Sequence, residues 1–339
     1  MRGHDHVTLG WRHTPAIRPL VVVASVMLAA SVPSPVAAGA EADDDRGERV
    51  RIGPTATRVD PSRRILLVAG SIGGCAWSGD SSTASLIASR RGLVMTGGDH
   101  AFQRGSRRQF RACYGPTWGR FRDRTRPVPG DRDHATAGGA GYFGYFGRRA
   151  GPVGRGYYAF DYGAWRVYAL DTECQRAGCR KGSAQHRWLA TDLATHPTHC
   201  VLTVMHRPLF SSGPSGDSDA TRPLVALLYR SGAEVIVNGH DRIYERLAPA
   251  RPRGTIDREE GIRQFIVGTG GAPLHGFGSR RPPHSRVRQD SAHGILKLVL
   301  RADGYTWRYI PVSGAFTDRG RSRCHESPDA FAEPGRTVG

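Results

Sequence analysis

Four short apolar runs in this 339-residue chain each end in a polar residue able to bind or polarise a ligand. That repetition limits the fold more than any other feature. Residues 65–69 run into Gly70-Ser71, residues 93–96 into Gly98-Asp99-His100, residues 201–205 into His206, and residues 234–237 into Asn238-Gly239-His240. Short apolar runs closed by glycine or polar residues read as buried strands. In open α/β sheets, ligands bind outside the carboxyl ends of strands, so the pattern predicts one edge that gathers Ser71, Asp99, His206 and His240.

The rest of the chain fits that layout. Helices are expected over residues 80–90, 183–195 and 220–230, with further strands over 157–161, 165–171, 264–267, 295–300 and 305–311. A polar, aromatic-rich stretch spans residues 102–156, and no internal repeat is present. With 39% apolar and 23% charged residues the composition is that of a folded chain. Alternating strands and helices alone leave a Rossmann-like sheet open. However, Gly70-Ser71-Ile72-Gly73-Gly74 lacks the dinucleotide spacing and does not make a nucleophile elbow.

Charge and targeting signals narrow the setting. The formal net charge of +18 is carried by arginine, since Lys181 and Lys297 are the only lysines. It favours anionic partners, but the arginines form no run with interleaved aromatics, so no specific nucleic-acid recognition is expected. Arg2, Arg12 and Arg18 precede an apolar run over residues 20–30, and Ala38-Gly39-Ala40 offers a cleavage site. Residues 1–40 read as a secretory leader, giving an exported protein with no membrane span after cleavage. Residues 41–63 and 326–339 read as flexible ends around a domain over 64–325. Six cysteines in an oxidising compartment imply disulfides with 15 possible connectivities. The short step from Cys174 to Cys179 marks a small staple. Cys75 with Cys113 and Cys200 with Cys324 are expected for the remainder, and no pair has the C-x-x-C spacing of a metal site.

The loops carry a more specific signal. Gly98-Asp99-His100-Ala101-Phe102, Gly130-Asp131-Arg132-Asp133, Met205-His206-Arg207-Pro208 and Asn238-Gly239-His240-Asp241-Arg242 follow one another in that order. They resemble the motifs of calcineurin-like and purple acid phosphatase-like metallophosphoesterases, where the matching stretches read G-D-N-x-Y, G-N-H-D, a strand ending in His, and N-G-H-x-H. Cys113-Tyr114-Gly115-Pro116-Thr117-Trp118-Gly119 and Val267-Gly268-Thr269-Gly270-Gly271 resemble a secreted bacterial branch of that family. The resemblance runs from about residue 64 to 325. It implies a four-layer α/β/β/α sandwich of two mixed sheets.

The resemblance also implies a two-metal site with half its ligands replaced. Asp99 matches the bridging aspartate, while Asp131 (Asn in the family), His206 and His240 match the second-metal ligands. The private ligands of the first metal stand as Ser71, Phe102 and Arg242, and the proton-donating His stands as Arg132. Two carboxylates and two imidazoles suit one Zn²⁺, Mn²⁺ or Fe²⁺, and a second metal is not expected. Arg132 cannot donate a proton at neutral pH, yet Arg132, Arg207 and Arg242, with His100, could hold a phosphoryl group. The expected function is therefore a weak one-metal phosphatase or a protein that binds phosphorylated small molecules or other anions. An active enzyme with replacement ligands such as Asp80, His100 or Asp241, and a basic polyanion-binding surface protein, are the alternatives.

Overall fold

The computed structural model describes residues 63–325 except Val153. The expected leader and tail, and all of the 41–63 segment but Arg63, lie outside these residues. Thirteen strands form two sheets. In chain order, β1 is Arg64–Ala69, β2 Leu93–Gly97, β3 Thr125–Val128, β4 Tyr158–Tyr162, β5 Trp165–Leu170, β6 Cys200–Met205 and β7 Val235–Asn238. They continue with β8 Tyr244–Leu247, β9 Arg263–Val267, β10 Ser285–Gln289, β11 Gly294–Arg301, β12 Gly304–Pro311 and β13 Arg319–Arg323. The first sheet has the order β13-β12-β11-β1-β2-β3, and the second β10-β8-β9-β7-β6-β5-β4. Strands β1–β3 run parallel, as do β5, β6, β7 and β9, and the flanking strands are antiparallel.

Apolar side chains of both sheets meet in one core that includes Leu66, Val68, Val94, Val204, Val237, Leu296 and Trp307. Fully buried β6 and β7 belong in such a place, because parallel strands are covered on both faces. Helix α1 (Gly79–Ala88) packs on the outer face of the first sheet, turning Ala84 and Ile87 inward. Helices α5 (Ala184–Thr195) and α6 (Arg222–Arg230) cover the second sheet through a separate cluster around Leu189, Leu224 and Leu228. Ser183 caps α5 by accepting from His186 N–H. This is the four-layer arrangement expected from the resemblance. Among the described residues no helix is long and apolar enough to cross a membrane.

The aromatic-rich stretch is more ordered than its composition implies. It holds α2 (Arg107–Gln109), which runs into a π-helical turn over Phe110–Tyr114, and α3 (Ala140–Phe146). Phe110, Tyr114, Tyr142 and Phe146 surround the His100 ring, with centroids 4.9–6.0 Å away. A further short helix, α4 (Cys174–Ala177), lies inside the smallest disulfide loop. Strands β3, β8, β10 and β13 escape a search for apolar runs. β3 contains a proline at a sheet edge, and β13 reads Arg-Gly-Arg-Ser-Arg.

The disulfides pair Cys75 with Cys113, Cys174 with Cys179 and Cys200 with Cys324, leaving no free cysteine among the described residues. The last closes a span of 124 residues. By loop-closure entropy such a link stabilises by roughly 4–5 kcal/mol. Three disulfides are the cysteine usage of an oxidising compartment.

Candidate metal and anion site

The two sheets touch at the carboxyl ends of β1, β2 and β7, and glycine makes the contact possible. A Cβ on Gly239 would meet the carbonyl oxygen of Gly97, and one on Gly70 would meet that same oxygen and the Gly239 backbone. Just beyond this seam, Ser71, Asp99 and His240 adopt left-handed backbone angles with φ of 55°, 58° and 62°. Such conformations cost non-glycine residues about 1–3 kcal/mol each and gather at functional sites. Here they turn the chain at three different strand ends, and two of these turns carry Asp99 and His240 to His206.

His206, Asp131 and His240 converge most closely. His206 Nδ1 lies 2.7 Å from the carbonyl oxygen of Gly97, so Nδ1 carries the proton and Nε2 faces the cleft. That Nε2 is 3.1 Å from Asp131 Oδ1 and 3.1 Å from His240 Nδ1. One donor atom from each of the three residues falls within a 4.8 Å cluster able to hold a metal ion. Asp99 stands beside this trio, not inside it. Its Oδ1 is 3.5 Å from His206 Nε2 and accepts the Arg132 backbone N–H at 2.9 Å. A side chain on Gly130 would strike Asp99 Oδ1, and one on Gly98 would strike His206 Nδ1.

The electrostatics follow from burial and proximity. Burial pushes the Asp99 carboxyl up to about 7, against the pull of His206. Burial would raise Asp131 too, but hydrogen bonds and charge from His206 and His240 hold it well below the usual carboxylate range. His206 is pushed down by burial and up by Asp99 and Asp131, which win and carry it to about 10. His240 is lowered, chiefly by burial, with the His206 and Arg207 charges pushing the same way. Without an ion the carboxylates are thus balanced by His206, a donor set that a divalent cation can take over with loss of the proton.

The other half of the cleft is aromatic and cationic. Phe102 lies under two guanidiniums, Arg132 at 5.9 Å and Arg242 at 5.7 Å from its ring centroid, with Trp77 packed edge-on at 5.5 Å. Arg132 Nε reaches Asp131 Oδ2 at 3.3 Å, and Arg242 donates to the Pro273 carbonyl at 3.0 Å. Burial, then repulsion from Arg132, lowers the Arg242 guanidinium from its ordinary value. Ser71 is buried and its Oγ has no partner among the described residues.

Other expected participants are engaged elsewhere. His100, a candidate for phosphate, is fully buried, with Nδ1 on Asp133 at 2.8 Å and Nε2 on Thr96 Oγ1 at 2.6 Å. Arg207, another candidate, is clamped by Glu173 at 2.8 and 3.1 Å and donates to His240 Nε2 at 3.1 Å, so it braces the trio. The replacement ligands fare no better. Asp80 accepts from Ser81 N–H and Thr117 Oγ1, and Asp241 from Ser211 Oγ and Ser215 N–H.

Two organising residues were not anticipated. The buried Asp133 accepts the backbone N–H of Asp99, His100 and Gly130, tying the two ligand loops together. Its place in the Gly130 loop was the available signal. Glu173 carries no motif and becomes visible only when β5 and β6 lie side by side.

The two mixed sheets with helices outside match the fold of purple acid phosphatase-like metallophosphoesterases. Comparison with known proteins agrees. The chain is 28% identical over 158 residues to purple acid phosphatase 21 of Arabidopsis thaliana, covering 42% of this chain and 34% of that protein. It is 28% identical over 153 residues to an acid phosphatase of Aspergillus ficuum, covering 33% and 25% respectively. The aligned parts therefore span about a third or less of these relatives. Among solved structures, the yellow lupin purple acid phosphatase PPD1 superposes with a TM-score of 0.65 at 17% identity, over 82% of this chain and 57% of that one. GAP50, the anchor in the inner membrane complex of Plasmodium, gives 0.59 at 15% identity over 78% and 89%. No family model matches the sequence.

Proposed function

We propose that this protein is an exported phosphoester-binding member of the metallophosphoesterase group that holds one divalent metal and hydrolyses its ligand slowly or not at all. The observation that carries the reading is the contrast within the cleft. Two imidazoles and a carboxylate converge at one side, while Ser71, Phe102 and Arg242 stand where the resemblance puts the ligands of another ion. The donor set fits Zn²⁺, Mn²⁺ or Fe²⁺, with Asp131, His206 and His240 as ligands and Asp99 beside them. When bound, such an ion would polarise a phosphoryl oxygen as a Lewis acid.

The chain's own residues do the rest. Arg132 and Arg242, both over Phe102, offer two adjacent forks of N–H donors to a phosphoryl group. They bind and orient, but neither gives up a proton near neutral pH, so the leaving oxygen departs without an acid. That absence alone costs about 10²–10⁴ in rate.

The decisive experiment compares hydrolysis of an aryl phosphate by the parent and by a variant carrying Ser71→Asp, Phe102→Tyr, Asp131→Asn, Arg132→His and Arg242→His. Mn²⁺ or Zn²⁺ is supplied across acid to alkaline pH. The parent is expected to be slow or inert, and the repaired variant faster by roughly 10² or more. A parent as fast as the repaired protein would sink the reading.

A further inference from the structure

The outer corner of the first sheet carries a second cationic feature, remote in sequence from the cleft motifs. Arg319, Arg321 and Arg323 alternate along β13 and are all exposed, so they share one face. Register puts Arg308 of β12 opposite Arg319, and Lys297 of β11 opposite Arg308, again on that face. The alternate residues Tyr305, Trp307 and Tyr309 fill the inter-sheet core, which fixes the arginine face as the outer one. Lys297 is lowered by burial and then by the charges of Arg63, Arg90 and Arg308.

No described carboxylate neutralises this face. Arg308, Arg319, Arg321 and Arg323 appear in none of the ion pairs of the described residues, whereas Arg149, Arg166, Arg246, Arg251 and Arg280 each pair with an aspartate. Asp318, next to Arg319, turns inward to Tyr244 and Arg246. Asp303 lies in the β11–β12 turn, beyond the strand. Arginines on an edge strand also deter sheet-to-sheet pairing. That role does not account for Lys297 and Arg308, which stand on interior strands.

We propose that this face docks a linear polyphosphodiester that carries no bases. Alternate arginines on a strand stand about 7 Å apart and neighbouring strands about 4.8 Å apart. That lattice offers bidentate donors at the pitch of an extended phosphodiester chain. The face presents Thr306, Ile310 and no aromatic ring, so it lacks the aromatic platform on which successive bases stack. It also lacks the exposed large apolar side chains that anchor a protein in a lipid interface. Ile256, the exposed one among the described residues, belongs to the segment between β8 and β9.

The test titrates the full chain with poly(glycerol phosphate) between about 50 and 200 mM salt. A patch variant with Arg308→Gln, Arg319→Gln, Arg321→Gln and Arg323→Gln is compared with a control carrying Arg108→Gln, Arg111→Gln, Arg253→Gln and Arg258→Gln, also exposed. The patch variant is expected to bind roughly tenfold or more weakly, and its salt slope to fall by about 3, at about 0.7 per lost contact. The control and a His206→Ala variant are expected to match the parent, which separates this site from the cleft. Equal losses in patch variant and control would overturn the proposal, as would the absence of saturable binding. Tighter binding of an oligo(dT) strand or of phosphatidylglycerol vesicles would overturn it in favour of nucleic acid or membrane.

Discussion

The two halves of the cleft share one backbone frame and differ in chemistry. On one side His206, His240 and Asp131 present nitrogen and oxygen donors within hydrogen-bond distance of one another. On the other, Phe102 and two guanidiniums occupy comparable loop positions after β2, β3 and β7. The difference teaches that a strand-end loop fixes where a side chain points and leaves open whether it offers a lone pair or a positive charge. A lone pair invites a cation, and a guanidinium excludes one while inviting an anion.

The largest effect that could break this contrast is on metal affinity. His206→Ala is expected to weaken Mn²⁺ or Zn²⁺ binding, read by calorimetry, by more than the roughly 10–100-fold typical of residues that only support ligands. Unchanged affinity would remove the metal from the first half altogether. Next come the arginines. Arg132→Ala and Arg242→Ala are each expected to weaken inorganic phosphate about tenfold or more, the scale of a charged hydrogen bond of about 1.5–3 kcal/mol. Their metal binding should stay within a few-fold of the parent, and a reversed pattern would invert the comparison.

A subtler variant tests the Glu173–Arg207 pair on the imidazole side. Glu173→Gln leaves the Arg207 charge uncompensated beside the imidazoles, so metal affinity should drop by about tenfold, the low end for a change in a neighbouring residue. The smallest effect belongs to a control far from the cleft chemistry. Burial lifts Glu234 from the ordinary 4.5 to about 8, while it accepts the His325 backbone N–H beside the Cys200–Cys324 link. The folded value lies above the unfolded one, so the stability it lends is full below pH 4.5 and lost as pH rises toward 8. The parent's melting temperature should therefore fall by a few degrees more than that of Glu234→Gln between pH 5 and 8, with metal and phosphate binding unaltered. Equal falls would mean Glu234 is charged throughout.

Much of the frame was legible because it rests on local signals. Apolar runs marked the strands that form the core, and their polar terminators marked the cleft. The staple from Cys174 to Cys179 followed from spacing. What stayed hidden depends on long-range neighbours. His100 carries a ligand's chemistry, and only the aromatic ring wall and Asp133 show that it is structural. Arg207 looked free for an anion until Glu173 arrived from 34 residues away. β13 was invisible because its inward positions are glycine and serine, and Gly320 is small so that Trp307 can lie over it.

The glycine seam between Gly70, Gly97 and Gly239 has a consequence for how such a protein can change. The two sheets are braced against each other by main chain, so cleft side chains hang from a scaffold that does not depend on them. Ser71 already holds a left-handed conformation that aspartate tolerates well. Reagents can be swapped at these positions like tools in a fixed holder, in either direction, and a single glycine lost from the seam would do more damage than any of them.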